Sequence, residues 1–210
     1  YDFKAMVDAQ RRGTPKVDGA GKYLASRAMV EYYANPNNFD RNSSDFMQFL
    51  VLSERSGVSA KMINDSFLKG KGILEGQADA FLEAGKRFNV NEIYLIAHAL
   101  HETGNGTSPL AQGIEVGKTE DDQLAVVTNE NRDKLKDIRK VYNMYGVGAI
   151  DACPNACGAA FAYENGWFTP AEAIVGGAEF ILHYIQRGQD TLYKMRWNPD
   201  SPGYPQYATH

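Results

Sequence analysis

A single carboxylate closes an apolar segment in the middle of the chain. Residues 93–100 are almost all apolar, Glu102 follows them, and a loop rich in glycine, asparagine and hydroxyl groups comes next. Apolar surroundings raise the pKa of a carboxylic acid, and the negative end of a helix macrodipole also disfavours its ionisation. A carboxylic acid that keeps its proton near neutral pH can donate it to a leaving oxygen. That step is the first requirement for cleaving a glycosidic bond, and we predict Glu102 as a general acid.

Two histidines flank this glutamate, and their spacing argues against a metal site. His98 lies four residues before Glu102 on the same helical face, and His101 is adjacent to it. The zinc motif HExxH needs two histidines four residues apart with the glutamate between them. The string HALHE lacks that spacing, so we predict no metal site and no cofactor.

The loop at residues 103–108 is both polar and rich in glycine. Such a loop forms a helix-capping turn, and its glycines also let a backbone approach a ligand closely. The two roles are compatible. Asn105 is the candidate substrate-binding residue of this loop.

A second group of candidates lies in the string YNMYGVGAID. Its members are Tyr142, Asn143, Tyr145 and Asp151. Loops carry connections and functional residues alike, so spacing alone leaves both readings open. Trp167 and Tyr207 are loop aromatics of the type that stacks on sugar rings, and packing explains either of them equally well.

Composition narrows the class of protein. The chain has 210 residues, a net charge of −4, twelve tyrosines and ten phenylalanines. It is long enough to bury its own core. The absence of a basic stripe argues against nucleic acid and anionic membranes as partners. No segment is long and apolar enough to span a bilayer. No leader pattern follows Tyr1, so a signal peptide is expected to be absent or already removed. Cys153 and Cys157 are either free thiols or a local bridge.

Helical patterns predominate along the chain. Residues 23–33, 45–52, 59–68, 76–88 and 154–164 are predicted as helices. Asn89 is predicted to cap the helix that ends at Glu102, through a capping box with Glu92. That helix is apolar all round, which predicts a central position. A further capping box with proline at the first helical position opens a helix at Thr169. The tail from Arg196 to His210 is predicted to lie along the surface.

The segment from residue 114 to residue 141 differs in character. Residues 123–128 favour a strand, and Lys134–Val141 reads as a polar surface helix. We predict a helical lobe over about 1–113 and 142–210, and a small β-containing lobe over about 114–141. The two lobes flank a groove, and grooves are where ligands bind.

Four strings resemble one known family. They are YLIAHALHETGNGTSPLAQG, VYNMYGVGAIDACP, ENGWFTPAEAIVGGAEFI and GQDTLYKMRWNPDSPGYPQYAT. Together they resemble the catalytic domain of bacterial autolysin glucosaminidases, the family-73 glycoside hydrolases. The upstream strings YYANPNNFD and GKGILEGQADAFLEAGKRFNVNEIYLI are similar to the longer, Gram-positive members. The resemblance runs from about Met29 to Thr209.

The resemblance implies a mainly α, lysozyme-like two-lobed fold with a small β-containing lobe. It implies hydrolysis of the β-1,4 bond between N-acetylglucosamine and N-acetylmuramic acid in peptidoglycan, by a secreted monomer acting at the cell wall. Glu102 matches the family's catalytic acid, and Tyr142, Asn143 and Tyr145 match its tyrosine–asparagine segment. Tyr207 matches a tyrosine near the end of the domain, and Asp151 falls where longer members carry an aspartate.

The sequence leaves the second half of the reaction open. A second carboxylate would act as nucleophile or base, and the candidates in the β lobe are Glu115, Glu120, Asp121, Asp122 and Glu130. Attack by the substrate's own 2-acetamido oxygen needs none of them, and we favour that route. In it, Tyr145 and Asp151 are predicted as catalytic residues beside Glu102, because they would orient and polarise the acetamide. The competing functions are a lytic transglycosylase, a wall-binding module that does not cut glycan, and a metallopeptidase.

Overall fold

The computed structural model describes residues 1–18 and 21–207. Positions 19–20 of the polar opening and the last residues of the predicted tail, 208–210, lie outside the described residues. Among the residues described, no helix combines the length and the apolar character needed to cross a lipid bilayer. Most regular structure is helical and a small antiparallel sheet accompanies it, which confirms the predicted mainly α class.

The helices and strands have the following bounds. The α-helices are α1 (Phe3–Arg12), α2 (Arg27–Ala34), α3 (Ala60–Met62), α4 (Ala78–Phe88), α5 (Glu92–Glu102), α6 (Pro109–Gln112), α7 (Pro154–Glu164), α8 (Pro170–Ile181), α9 (His183–Gln186) and α10 (Leu192–Trp197). Short 3₁₀ helices cover Pro36–Asn38, Ser44–Phe49, Gly72–Leu74 and Arg132–Lys134, and a π-helical turn covers Ile63–Leu68. The strands are β1 (Ile114–Lys118), β2 (Leu124–Val126) and β3 (Lys136–Val141).

The chain forms two compact units, and the first joins residues 1–52 with residues 184–210. Helix α1 packs on α2, and α10 packs on the 3₁₀ helix Ser44–Phe49. Their shared core contains Met6, Val7, Val30, Ala34 and Trp197. Helix α2 begins at Arg27 rather than at Tyr23, because Ser26 supplies the cap by accepting a hydrogen bond from the Met29 amide. The predicted helix at 45–52 is a 3₁₀ helix instead.

The second unit covers residues 53–183 and holds both Glu102 and the sheet. Helix α4 packs against α5 and α8, and α7 packs on all three strands. Helix α7 has the predicted bounds. Helix α8 has the predicted cap, because the Thr169 hydroxyl accepts a hydrogen bond from the Glu172 amide at 3.2 Å. The division into lobes at 114–141 stays a prediction.

The prediction of a surface helix at Lys134–Val141 is wrong, because this segment forms β3 of the sheet. The strand order is β2-β1-β3, with antiparallel pairing that places Ile114 opposite Val141 and Val116 opposite Val126. Charged side chains dominate β3, which is why its pattern suggested a polar helix. They suit an edge strand, where charge prevents pairing with another chain.

Asn89 does not cap α5 as predicted. It adopts the left-handed conformation (φ 50°) at the end of α4, and Asn91 caps α5 by accepting a hydrogen bond from the Ile93 amide at 3.0 Å. Glu92 is therefore the first residue of the helix, and its carboxylate is available for hydrogen bonds to residues outside the helix. Its fully buried carboxylate accepts hydrogen bonds from Arg55 Nε (2.8 Å), the Ser56 amide (2.8 Å) and the Ser56 hydroxyl (2.6 Å).

We expect Glu92 to make stability depend on pH. Burial alone would raise the pKa of Glu92, but the hydrogen bonds from Ser56 and Arg55 outweigh it and hold that pKa below its ordinary value. An acid with a depressed folded pKa stabilises the fold above its unfolded pKa, near 4.3, and loses that contribution as the pH falls further. Glu92→Gln should lower the free energy of unfolding by about 2 kcal/mol at pH 7, and this deficit should shrink towards pH 3. Denaturant unfolding across that pH range measures both effects.

Glu83→Gln on α4 is the matched control, because Glu83 is an exposed glutamate of the same unit. It should change the unfolding free energy by less than about 0.5 kcal/mol. A Glu92→Gln deficit that stays constant from pH 7 to pH 3 would contradict the assignment.

Candidate active site

Glu102 is the last residue of α5, and its carboxylate faces His98 one turn earlier. Glu102 Oε1 lies 3.8 Å from His98 Nε2, which confirms that the two side chains share a helical face. Thr103 ends the helix, and Gly104 follows in the left-handed conformation with φ 55°. The acid therefore stands at the point where a regular helix gives way to a loop.

The prediction that dry surroundings enclose the Glu102 carboxylate is wrong, since its side chain is 37% exposed. Helix α5 buries only one side, formed by Leu95, Ile96 and Ala99. Ala97 and His101 are exposed, so the helix is not surrounded by protein on all sides. The carboxylate is accessible to a ligand at the rim of the buried face.

His98 is held in place by aromatic rings. Its imidazole makes edge-on contacts with Tyr94 and Tyr145, each at a centroid distance of 5.9 Å. Burial lowers the pKa of His98, partly opposed by the nearby Glu102 carboxylate. The imidazole next to the acid is therefore neutral at neutral pH. The spacing of four residues indicated the proximity, but nothing in the sequence indicated the aromatic contacts.

The loop after α5 is fixed by its own hydroxyl and by close backbone contacts. Thr103 Oγ1 donates to the Ala99 carbonyl (2.6 Å) and accepts from the Gly106 amide (2.8 Å). The Gly106 carbonyl accepts from the Ile73 amide at 3.2 Å. A Cβ on Gly72 would lie 2.4 Å from the Gly106 carbonyl oxygen. The glycines therefore permit a close approach between two backbone segments, a constraint that the sequence did not indicate.

Asn105 stands at the exposed tip of this loop. It adopts the left-handed conformation with φ 59°, and its Oδ1 accepts a hydrogen bond from Lys71 Nζ at 3.3 Å. The residue is exposed, and its contact with a substrate stays a prediction.

Asn143 holds the loop of residues 142–151 together. Its buried side chain donates from Nδ2 to the carbonyls of Val147 (2.7 Å) and Gly158 (3.1 Å). Its Oδ1 accepts from the amides of Val147 (3.2 Å) and Tyr145 (3.4 Å). Both donors and the acceptor oxygen are therefore engaged inside the protein, whereas the sequence suggested a residue that binds substrate.

The same loop lies against the Glu102 carboxylate at Gly146. A Cβ added to Gly146 would stand 3.4 Å from Glu102 Oε2, and its φ of 65° also favours glycine. The two strings predicted to carry function, HETGNGTS and YNMYGVGAID, therefore meet at one point in space. Gly146 was visible in the sequence only as one of a pair of glycines.

Tyr145 is buried beneath this contact. Its hydroxyl donates to the Ile174 carbonyl at 3.0 Å, and burial raises the pKa of Tyr145 far above its ordinary value. Its ring contacts His98. The side chain therefore connects α8 to the imidazole next to Glu102, and its hydroxyl proton is committed to a backbone carbonyl.

Tyr142 and Asp151 are the accessible members of the group. Tyr142 is half-buried, its amide donates to the Trp167 carbonyl at 3.0 Å, and its ring centroid lies 5.8 Å from Lys140 Nζ. Asp151 is exposed in a turn, and its carboxylate forms no hydrogen bond with any described residue. Both side chains retain polar atoms that a ligand can reach.

Trp167 and Tyr207 have different surroundings. Trp167 is 3% exposed and packs edge-on against Phe161 and Phe180 at 5.6 and 5.9 Å, so packing is the reading that the structure supports. Tyr207 belongs to the first unit, where its half-exposed ring contacts Tyr184 at 6.0 Å and its amide donates to the Met195 carbonyl.

The carboxylates of the predicted β lobe have different surroundings, and none of them forms an evident second catalytic group. Glu115 on β1 forms an ion pair with Arg132, and the hydrogen bond from that guanidinium holds the pKa of Glu115 below its ordinary value. Glu120, Asp121 and Asp122 are exposed in the turn after β1. The Thr128 hydroxyl donates to Glu130 at 3.3 Å.

Over residues 1–18 and 21–207, no group of three or more histidine, cysteine, aspartate or glutamate side chains has the arrangement to hold a metal ion. Cys153 and Cys157 form a disulfide, which resolves the alternative left open by the sequence.

A mainly α fold with a small antiparallel sheet, and a carboxylate at a helix end, agree with the class expected from the motifs, the lysozyme-like glycoside hydrolases. Comparison with known proteins gives the family. The chain is 46% identical over 211 residues to a beta-N-acetylglucosaminidase of Bacillus subtilis, covering 98% of the chain and 21% of the relative. A crystal structure of a major bifunctional autolysin matches with a TM-score of 0.78 and 38% identity, over 99% of this chain and 80% of that one.

A further solved structure is that of autolysin E of S. aureus. A catalytic mutant with glutamate replaced by alanine, in complex with the disaccharide NAG-NAM, matches with a TM-score of 0.65 and 32% identity over 100% of this chain and 83% of that one. The same protein has been solved with the muropeptide NAM-L-Ala-D-iGlu, with 33% identity. No family model matches the chain.

The chain belongs to the autolysin glucosaminidase family of glycoside hydrolases. The resemblance and the lysozyme-like fold expected from its motifs are thereby confirmed. The chain spans about a fifth of the length of the Bacillus subtilis relative.

Proposed function

We propose that the chain hydrolyses the β-1,4 bond between N-acetylglucosamine and N-acetylmuramic acid in peptidoglycan, with Glu102 as the general acid. The observation that carries this proposal is the meeting of the exposed Glu102 carboxylate with the backbone of Gly146. An accessible carboxylate against a loop fixed by Asn143 has the position that proton donation to a bound glycan requires.

The relatives support the same substrate. One is named a beta-N-acetylglucosaminidase, and another was crystallised as a catalytic glutamate mutant with the disaccharide NAG-NAM bound. By the same likeness, we assign the chain to the cell wall outside the cytoplasm, acting as a secreted monomer on the glycan strand.

The first step of the reaction breaks the bond between the anomeric carbon and the leaving oxygen. Glu102 gives its proton to that oxygen, which takes the bonding electrons and leaves as a hydroxyl. The 2-acetamido oxygen of the substrate attacks the anomeric carbon from the opposite face and forms a cyclic oxazolinium ion. Water then opens this ion and returns a proton to the Glu102 carboxylate. The configuration of the anomeric carbon is inverted twice, so the product keeps the configuration of the substrate.

The polar groups around the acid have separate roles in this route. Tyr142 and Asp151 bind the reacting sugar, with the Asp151 carboxylate accepting the acetamide N–H and so orienting its oxygen. Asn105 contacts the glycan at the loop tip. Asn143 and Tyr145 act as positioning residues, because their polar atoms are engaged with backbone groups.

The environment of the β-lobe carboxylates favours the substrate-assisted route over a protein nucleophile. The charge of Glu115 is neutralised by Arg132, and the turn carboxylates are exposed to water. None of these carboxylates is buried, and the hydrogen bond to Glu115 comes from the arginine that already neutralises its charge.

The products of purified peptidoglycan digestion test the proposal. We expect N-acetylglucosamine at the new reducing ends, with the β anomer appearing before mutarotation, as retention requires. Mass spectrometry and proton NMR of the fragments give both results. Anhydro products lighter by one water would identify a lytic transglycosylase, and an unchanged glycan length with bound protein would identify a wall-binding module.

A further inference from the structure

The first unit contains an open pocket, and none of the residues given a role in the proposed reaction lines it. Its volume is about 680 Å³, and its walls come from α2, the 3₁₀ helix Ser44–Phe49 and α10. Met29 and Tyr33 line it while remaining 40% and 52% exposed, respectively. A volume of this size is typical of small-ligand sites, and the lining is mainly apolar with a few charged groups.

Arg196 is a partly buried arginine that lines this pocket. Its guanidinium carbon lies 4.1 Å from the centre of the Trp197 ring, and the side chain is half-buried. It forms no ion pair or hydrogen bond with any of the described residues, although burial lowers the pKa of Arg196 by penalising its charge. The indole covers the face of the guanidinium but leaves its N–H groups unbonded. A planar fork of N–H donors matches the geometry of a carboxylate.

Asp45 and Lys16 also line the pocket. Within the described part of the chain, neither side chain has an ion-pair or hydrogen-bond partner. The anion and the two cations in one pocket therefore do not neutralise one another by contact. Such a lining is complementary to a ligand that carries both charges on an aliphatic body.

We propose that this pocket binds a short aliphatic peptide with a free carboxylate and a free amine, the chemistry of the peptides attached to peptidoglycan glycan. The identity of the peptide rests on the proposed function. Arg196 binds the carboxylate, Asp45 binds the amine, and Met29, Tyr33 and Trp197 pack against the aliphatic part. The pocket would give the enzyme a second contact with its polymer, separate from the glycan contact at Glu102.

Calorimetric titration with the peptide L-Ala-γ-D-Glu-L-Lys-D-Ala tests this proposal. The protein is the whole chain carrying Glu102→Gln, and the peptide has no glycosidic bond, so failure of the catalytic proposal leaves this result unaffected. We expect saturable binding that weakens at least about tenfold in Arg196→Gln and in Asp45→Asn, since each loses a charge-assisted hydrogen bond. Arg41→Gln removes an exposed arginine of the same unit that does not line the pocket, and it should bind as the parent does.

Peptide variants separate the two charges. Amidation of the carboxylates should weaken binding to the parent but should have little further effect on Arg196→Gln. Acetylation of the amines should behave in the same way towards Asp45→Asn. Circular dichroism establishes that each variant is folded. No saturable binding at millimolar peptide, or equal losses in Arg196→Gln and Arg41→Gln, would overturn the proposal.

Discussion

Glu102→Gln is expected to reduce the rate of peptidoglycan hydrolysis by about 10²- to 10⁴-fold, the range attributed to general acid catalysis. Glutamine keeps the size and polarity of the side chain but has no proton to donate to the leaving oxygen. The side chain is 37% exposed, and the imidazole 3.8 Å away is neutral at neutral pH, so no ion pair is lost and the fold should be unaffected. Release of soluble fragments from purified cell walls measures the loss.

Glu164→Gln is a closely matched control for this experiment. Glu164 is an exposed glutamate at the last position of α7, as Glu102 is at the last position of α5. Its replacement should leave hydrolysis within about twofold, because surface substitutions change little. If Glu102→Gln retained more than a tenth of the activity, the assignment of the acid would be wrong.

Asn143→Asp is expected to give the second large effect, through the loop rather than through the chemistry. Aspartate keeps an acceptor for the amides of Val147 and Tyr145 but replaces the donor to the carbonyls of Val147 and Gly158 with an oxygen. Removing the side-chain donor from one buried and one part-buried carbonyl, and setting a second oxygen against them, should cost about 3 kcal/mol of unfolding free energy. Hydrolysis should fall at least about tenfold, because Gly146 in the same loop lies against Glu102.

Denaturant unfolding and cell-wall hydrolysis, measured on the same preparations, check the two parts of this prediction. Asn165→Asp is the control, because Asn165 also donates to a backbone carbonyl (Phe161, 2.9 Å) but is exposed. Water can replace its lost bond, so its stability should change by less than about 1 kcal/mol. Wild-type stability and activity in Asn143→Asp would show that the buried amide does not hold the loop.

The local signals in the sequence were strong where one residue decides one boundary. Thr169 and Pro170 predicted the start of α8, and the predicted range 154–164 matches α7. The end of α5 at Glu102 followed from the loss of apolar residues and the glycines beyond it. Caps and helix breakers act through neighbouring backbone groups, so they can be recognised without knowledge of the fold.

The errors occurred where distant parts of the chain compete for a residue. Lys136–Val141 has a pattern that fits a polar helix, but pairing with β1 makes it an edge strand. Asn89 and Asn91 are both good caps, and the left-handed end of α4 determined which of them opens α5. Propensity is a weak preference in such cases, and tertiary pairing overrides it.

The sequence by itself determined the family and the end of the helix that carries Glu102, because these depend on residue types in short, continuous strings. Only the tertiary structure decided what surrounds the acid. It left Glu102 partly exposed, turned Asn143 and Trp167 inward, and brought Gly146 to the carboxylate. Burial and contact depend on which segments fold against each other, and residues that are more than forty positions apart in the chain carry no local signal of that contact.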